Sequence, residues 1–407
     1  GAWGGWHDAG DFDRRSKHQV CSRVLFELLE CHGEWAGVEL AIPERGGELP
    51  DLLDEALWGL DLFVRLQRAD GAVRGGIETP GHPVRPDASF NDRLPVYVFA
   101  PDVRASWIHA ATAAQAAWVL EDLGLAERAG AYRDSALRAM AWAETTFSAE
   151  PDRYAELKRG WHLKDHRHLA AVHCYRLTGD ERWHEVARET AIWKDGEGTW
   201  RWNVGLQEEA AFVYARLGDA LVDDELRAAA RASLAADARK QIAYARAQAF
   251  DFTAMDLGMP LQMGAFSTPN GSALVRHYLL SGDDEALAWA IRSCGFALGA
   301  NPMNTTFTTG LGQRSPKQPL YIDLWAMGLE EPPPGITIYG NLDPVFRHRD
   351  WGWDTIAGPG RMVPPVREWP LAETWCDVSH WVFMNEYTID RNIAPSVLVY
   401  GHLAGRD

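Results

Sequence analysis

The dominant spacing of apolar positions along the chain is helical. Leu53, Leu57, Leu60 and Val64 fall on one stripe of the segment PDLLDEALWGLDLFVRLQ, with Pro50 where a helix accepts proline. The same period predicts helices over about 16–32, 105–123, 127–147, 166–177, 181–193, 206–217, 223–245, 272–281 and 284–299. A last one begins near Tyr387 and carries Ile389, Ile393, Val397 and Val399. Glycine-aspartate steps stop one helix and cap the next at Gly179-Asp180, Gly218-Asp219 and Gly282-Asp283. Long Gly-, Pro- and Trp-bearing loops are expected over about 70–103, 194–204 and 300–370, and such loops in a compact domain usually carry function. Ten or eleven helices with little strand pattern, and no stretch that reads as a linker, fit helical hairpins arranged in one ring over 1–407.

Composition narrows the classes. The chain has 407 residues, 46% apolar and 24% charged, which is globular. Its net charge of −17 argues against general nucleic-acid binding, which needs cations facing phosphates. No apolar run reaches the roughly 18 residues of a membrane span. The five cysteines form no CxxC pair, and Cys21 and Cys31 share one predicted helix about 15 Å apart. All five therefore read as free thiols. Nineteen tryptophans exceed the usual share and suit either a large core or flat platforms for sugar rings. The chain starts without Met, so a removed leader is consistent with a secreted or periplasmic protein, and action on short sugars with a cytoplasmic one.

Three segments carry candidate chemistry. Gly4-Gly5-Trp6-His7-Asp8-Ala9-Gly10-Asp11 sets two carboxylates three apart in a glycine-rich turn. Glycine lets the backbone turn sharply enough for both acids to face one water; the plainer reading is a turn capping the next helix. In Asn385-Glu386-Tyr387-Thr388-Ile389-Asp390 a glutamate sits among apolar neighbours, where desolvation suits it to donate a proton. The plainer reading there is a first-turn helix acid. Gly299-Ala300-Asn301-Pro302-Met303-Asn304, followed by Thr309-Gly310-Leu311-Gly312, reads as a loop able to line a cleft. His162, His166 and His173 lie within about 40° on an ideal helix. Asp165 reads as an N-cap, however, leaving His162 outside, so structural histidines are expected and no metal site. Walker, dinucleotide and GxSxG motifs are absent.

Taken in order, GGWHDAGDF, PDLLDEALWGLDLFVRLQ, GANPMNTTFTTGLG and NEYTIDRN resemble the motifs of glycoside hydrolase family 9, the inverting cellulase family. The resemblance implies an all-α (α/α)6 barrel, a six-hairpin toroid. The family has a barrel helix ahead of the catalytic turn, so a barrel lacking its first helix is also expected. By the resemblance Asp11 is the general base, Asp8 the carboxylate that helps hold the water, and Glu386 the general acid. Trp6, His7, Arg314 and Tyr321 are expected to bind substrate. The partner implied is a β-linked oligosaccharide or polysaccharide, with no cofactor required and a structural calcium left open. One segment departs: where the family shows Pro-His-His-Arg, this chain reads Pro319-Leu320-Tyr321-Ile322. That favours, as alternatives, exo-acting β-glucosidases or glucosaminidases; a polysaccharide lyase and a non-catalytic carbohydrate-binding protein are the readings of other classes.

Overall fold

The computed structural model describes residues 2–405 apart from 9–11, 82–86, 92, 156–159, 200–205, 254–263, 265–266, 342–362, 366–367 and 380, and leaves out the side chains of 155–162. Helices dominate: α1 (Gln19–Cys31), α2 (Asp51–Leu66), α3 (Val103–Asp122), α4 (Ala126–Ala149), the short α5 (Pro151–Ala155), α6 (Gly160–Thr178) and α7 (Glu181–Thr190). They continue with α8 (Leu206–Ala215), α9 (Asp224–Ala247), α10 (Ser272–Ser281), α11 (Asp284–Ser293), the short α12 (Ile322–Ala326) and α13 (Val382–Asn385), and α14 (Ala394–Ala404).

Alternate helices form a closed inner ring. α1 packs on α3, α3 on α6, α6 on α8, α8 on α10, α10 on α14, and α14 returns to α1. Between them α2, α4, α7, α9 and α11 lie outside, each against the inner helix before it. Burial shows the division. α3 buries 16 of its 20 residues, with alanines through Ala110–Ala117 that let neighbours approach; outer α4 buries 6 of 24, all on one stripe. Closure of the ring needs Gly401, because a Cβ there would fall 2.5 Å from Leu28 of α1. This is the (α/α)6 arrangement expected from the sequence.

The capping aspartates hold at Asp180 and Asp283, whose carboxylates accept backbone N–H groups of the first turn. α9 is capped by Asp223 rather than at Gly218-Asp219, and Asp219 pairs with Arg227 instead. Asp165 is not an N-cap. α6 begins five residues earlier, and Asp165 is buried in its interior, accepting a hydrogen bond from Gln207 Nε2 at 2.7 Å. α11 ends at Ser293 rather than 299, where Gly295 and Gly299 follow. The 70–103 segment is not wholly irregular. Its β2 (Gly76–Glu78) and β3 (Tyr97–Val98) join β1 (Arg14–Arg15) in an antiparallel sheet, with Arg14 opposite Ile77 and Ile77 opposite Val98. All five cysteines are free.

Candidate active site

The opening turn and the last helix meet at one end of the ring. Asp8 is buried, and its backbone N–H donates to the Asp13 carbonyl at 3.0 Å. Its Oδ1 accepts the Ile389 N–H at 3.0 Å, although the two residues lie 381 positions apart. This contact explains the end of the chain. The last helix does not start at Tyr387: residues 386–388 are not helical, with Glu386 and Thr388 extended, Ile389–Ile393 form one π-helical turn, and α14 follows. The first N–H groups of a helix lack internal partners. Here the one at Ile389 goes to Asp8, and Asn392 Oδ1 accepts the Thr388 N–H at 3.1 Å. Such π turns are frequent at functional sites.

Asp8 Oδ2 accepts from Lys17 Nζ at 3.2 Å, and His18 Nε2 lies 3.3 Å from it. Lys17 Nζ also donates to Asp390 Oδ1 at 3.0 Å. Burial pushes the Asp8 carboxyl up, but His18, Lys17 and the Ile389 N–H outweigh it and hold the group at about 2. Asp8, His18 and Asp390 bring ligand-type atoms within 4.8 Å of one another. The two carboxylates share the Lys17 ammonium.

Glu386 directly follows α13, with its N–H on the Val382 carbonyl at 2.9 Å and its carbonyl accepting the Tyr339 N–H at 2.8 Å. Asn385 before it is fully buried. Its amide donates to the Cys376 and Val378 carbonyls and accepts the Trp375 indole N–H. The backbone is thus pinned on both sides while the Glu386 side chain stays half-exposed. Burial, then the charges of Glu386, Asp8 and Asp390, push the Tyr339 phenol far above its ordinary range. For Tyr387 burial comes first, then Tyr321, Asp8, Asp323 and Glu386. These influences gather both chain ends and the 321–339 segment around one place. A cavity of about 400 Å³ opens beside Asp8, lined also by Lys17, Arg15, Phe99 and Arg104.

Asp11 lies outside the described residues. Trp6 donates its indole N–H to Glu55 Oε1 at 2.6 Å and lays its ring on Gly59 of α2. His7 packs edge-on against Phe12 at 4.9 Å; burial first, and then Arg14, holds it below its ordinary value. Tyr321 is half-buried, with its hydroxyl 3.4 Å from Asp323. Arg314 is exposed and meets the glycine loop through its carbonyl, which accepts the Thr306 N–H at 2.9 Å. A clamp follows the departing segment directly: buried Asp323 accepts both the N–H and hydroxyl of Ser89 at 2.6 Å, pinning the turn that carries exposed Phe90. The histidines of α6 part company. His166 accepts from Arg104 at 3.0 Å, His173 faces Glu209 at 3.9 Å, and the His162 side chain lies outside the described residues.

Sequence reasoning missed Lys17, His18, Asp390, Tyr339 and Asp323. Asp390 lies in a quoted motif, but nothing local marks Lys17, whose partner is 373 positions away.

The family model described as glycosyl hydrolase family 9 matches residues 2–399. The chain is 28% identical over 369 residues to a xyloglucan-specific endo-beta-1,4-glucanase of Bacteroides ovatus, covering 83% of this chain and 60% of that protein. It is 24% identical over 430 residues to a cellodextrinase of Butyrivibrio fibrisolvens, covering 95% and 72%. Among solved structures, the family 9 endoglucanase J30 superposes with a TM-score of 0.81 at 25% identity, covering 98% of this chain and 74% of that one. With four motifs in order, a closed helical ring and a family match over nearly its whole length, the chain belongs to glycosyl hydrolase family 9.

Proposed function

We propose that the protein is an inverting hydrolase of β-linked glucans or related oligo- and polysaccharides. One observation carries this reading: the 3.0 Å hydrogen bond from the Ile389 N–H to Asp8, which joins the turn bearing both aspartates to the segment bearing Glu386. Glu386 gives its proton to the departing glycosidic oxygen as the C1–O bond breaks. Asp11 takes a proton from the water whose oxygen bonds to C1 from the opposite face, and Asp8 helps orient that water. The roles of Asp11 and Asp8 rest on the resemblance. Inversion requires an acid and base about 6.5–9.5 Å apart, with room for water between them. The names of the relatives, a xyloglucan-specific glucanase and a cellodextrinase, support β-1,4-linked glucose as the backbone.

The Asp323–Ser89 clamp favours short or decorated chains over cellulose. Leu320, Tyr321 and Ile322 stand where the family shows His-His-Arg, and Asp323 directly after them is committed to bracing a loop. The test is a product profile on defined β-linked oligosaccharides, with the first-formed anomer read by NMR. Inversion yields the α anomer first; the β anomer would mean a nucleophile and overturn the assignment of a base.

A further inference from the structure

We propose that Lys17 is a positioning residue that fixes Asp8 relative to the segment bearing the acid Glu386, by holding the opening turn and that segment on one ammonium. This rests on the proposed hydrolase reading. The geometry is specific. Nζ lies 3.2 Å from Asp8 Oδ2 and 3.0 Å from Asp390 Oδ1. Asp8 stands three residues before Asp11, and Asp390 four after Glu386. The ammonium therefore ties together two segments that no covalent proximity relates. Lys17 precedes α1 in a 3-10 turn, so its own backbone is anchored to the inner ring.

The chemistry favours a fixed cation at this point. Without Lys17, Asp8 and Asp390 would face one another as carboxylates, with side chains only 10% and 13% exposed. Like charges that close repel, and one would take up a proton or swing away. Either event moves the Ile389 contact and with it the start of the π turn, three residues beyond Glu386. Burial tends to lower the Lys17 ammonium, but the charges of Asp390 and Asp8 more than offset it and raise it above its ordinary value. Lys17 thus stays charged wherever the enzyme works. A lysine serves here because one compact ammonium can donate to two separate acceptors.

The experiment compares wild type with Lys17→Met and Lys17→Ala on one β-linked oligosaccharide, reading kcat, KM and melting temperature. Lys17→Met should lose about 10²-fold in kcat with KM within about twofold, the signature of misplaced groups rather than lost substrate contacts. Propylammonium, the fragment that Lys17→Ala removes, should restore part of the lost kcat in that variant and leave wild type unchanged. Unchanged kcat in Lys17→Met overturns the proposal. So does a loss that follows the melting temperature and resists propylammonium, which would make Lys17 a structural prop only. A wild type inert on every β-glycoside overturns the hydrolase reading, and this role with it; an active wild type matched by its variants overturns Lys17 alone.

Discussion

The Lys17 ammonium, the His18 ring and one backbone N–H converge on Asp8, whereas the residue opposite it in function, Glu386, is only half-buried. That contrast sorts the carboxylates. Asp8, held at about 2, is ionised throughout the working range, so it cannot be the proton donor. Its lowered value also stabilises the fold. The contribution is present above the unfolded aspartate value of about 3.9 and is lost as pH falls toward the folded one. Glu386→Gln keeps the shape but has no acidic proton. Turnover of substrates with poor leaving groups should drop by about 10²–10⁴-fold, with activated aryl glycosides suffering less; equal small losses on both classes would remove Glu386 from the role. Asp8 and Glu386 were legible because short motifs carry them. Lys17 was not, because a lysine in the first turn of a predicted helix reads as an ordinary surface cation, and only the closed ring brings Asp390 to it.

At the scale of elements, the opening turn is seated by α2. The apolar stripe through Leu53, Leu57 and Leu60 was visible in the sequence, and those residues are buried as expected. What faces Trp6 was not visible. The motif suggests a sugar platform, whereas the indole edge is spent on Glu55 and the ring fills the gap left by Gly59. A Cβ on Gly59 would lie 2.0 Å from the Trp6 ring, which is too stiff to yield. Gly59→Ala must therefore push the turn that carries Asp8. We expect a stability loss of about 1–3 kcal/mol, typical of overpacking. kcat should fall more than a distant variant of equal stability, measured by melting and initial rates. An alanine accepted without either effect would show that the turn is not seated on Trp6. The misread start of α6 has a related cause. Asp165 precedes an apolar-periodic run, which is how a cap looks in one dimension, yet its true partner is Gln207 of α8.

Across the whole molecule, the ring encloses charge as well as apolar surface. Arg23, Arg176, Arg216 and Arg276 pair with Glu27, Glu30, Glu208 and Glu209 between the inner helices. Gln115 of α3 donates to Glu30, and His402 of α14 faces Glu27 at 3.1 Å, so every inner helix takes part. No local pattern announces this, because each residue reads as an ordinary polar position until six helices turn one face to a common axis. Breaking such a pair leaves a buried charge uncompensated, which typically costs about 3–5 kcal/mol. Arg276→Met removes the arginine from both Glu27 and Glu208, leaving them only His402 and Ser272 among the described residues, and should sit at the upper end; replacing Glu27 by Gln as well should recover part of the loss, measured as a double-mutant cycle in denaturant. The pH dependence has a definite sign. For Glu27 and Glu30 burial raises the carboxyl, but arginines, with His402 on Glu27, outweigh it; Arg23 and His173 do so for Glu209. All three are lowered, so their stabilisation is complete above the unfolded glutamate value of about 4.3 and disappears as pH falls through the folded ones. Glu208, raised by burial, works in the opposite direction. Three against one predicts that the melting temperature falls steadily below about pH 4. Arg276→Met, having already lost the partner that lowers Glu27, should show a shallower fall. An acid limb as steep as wild type would mean that the pairs on the axis do not control acid unfolding.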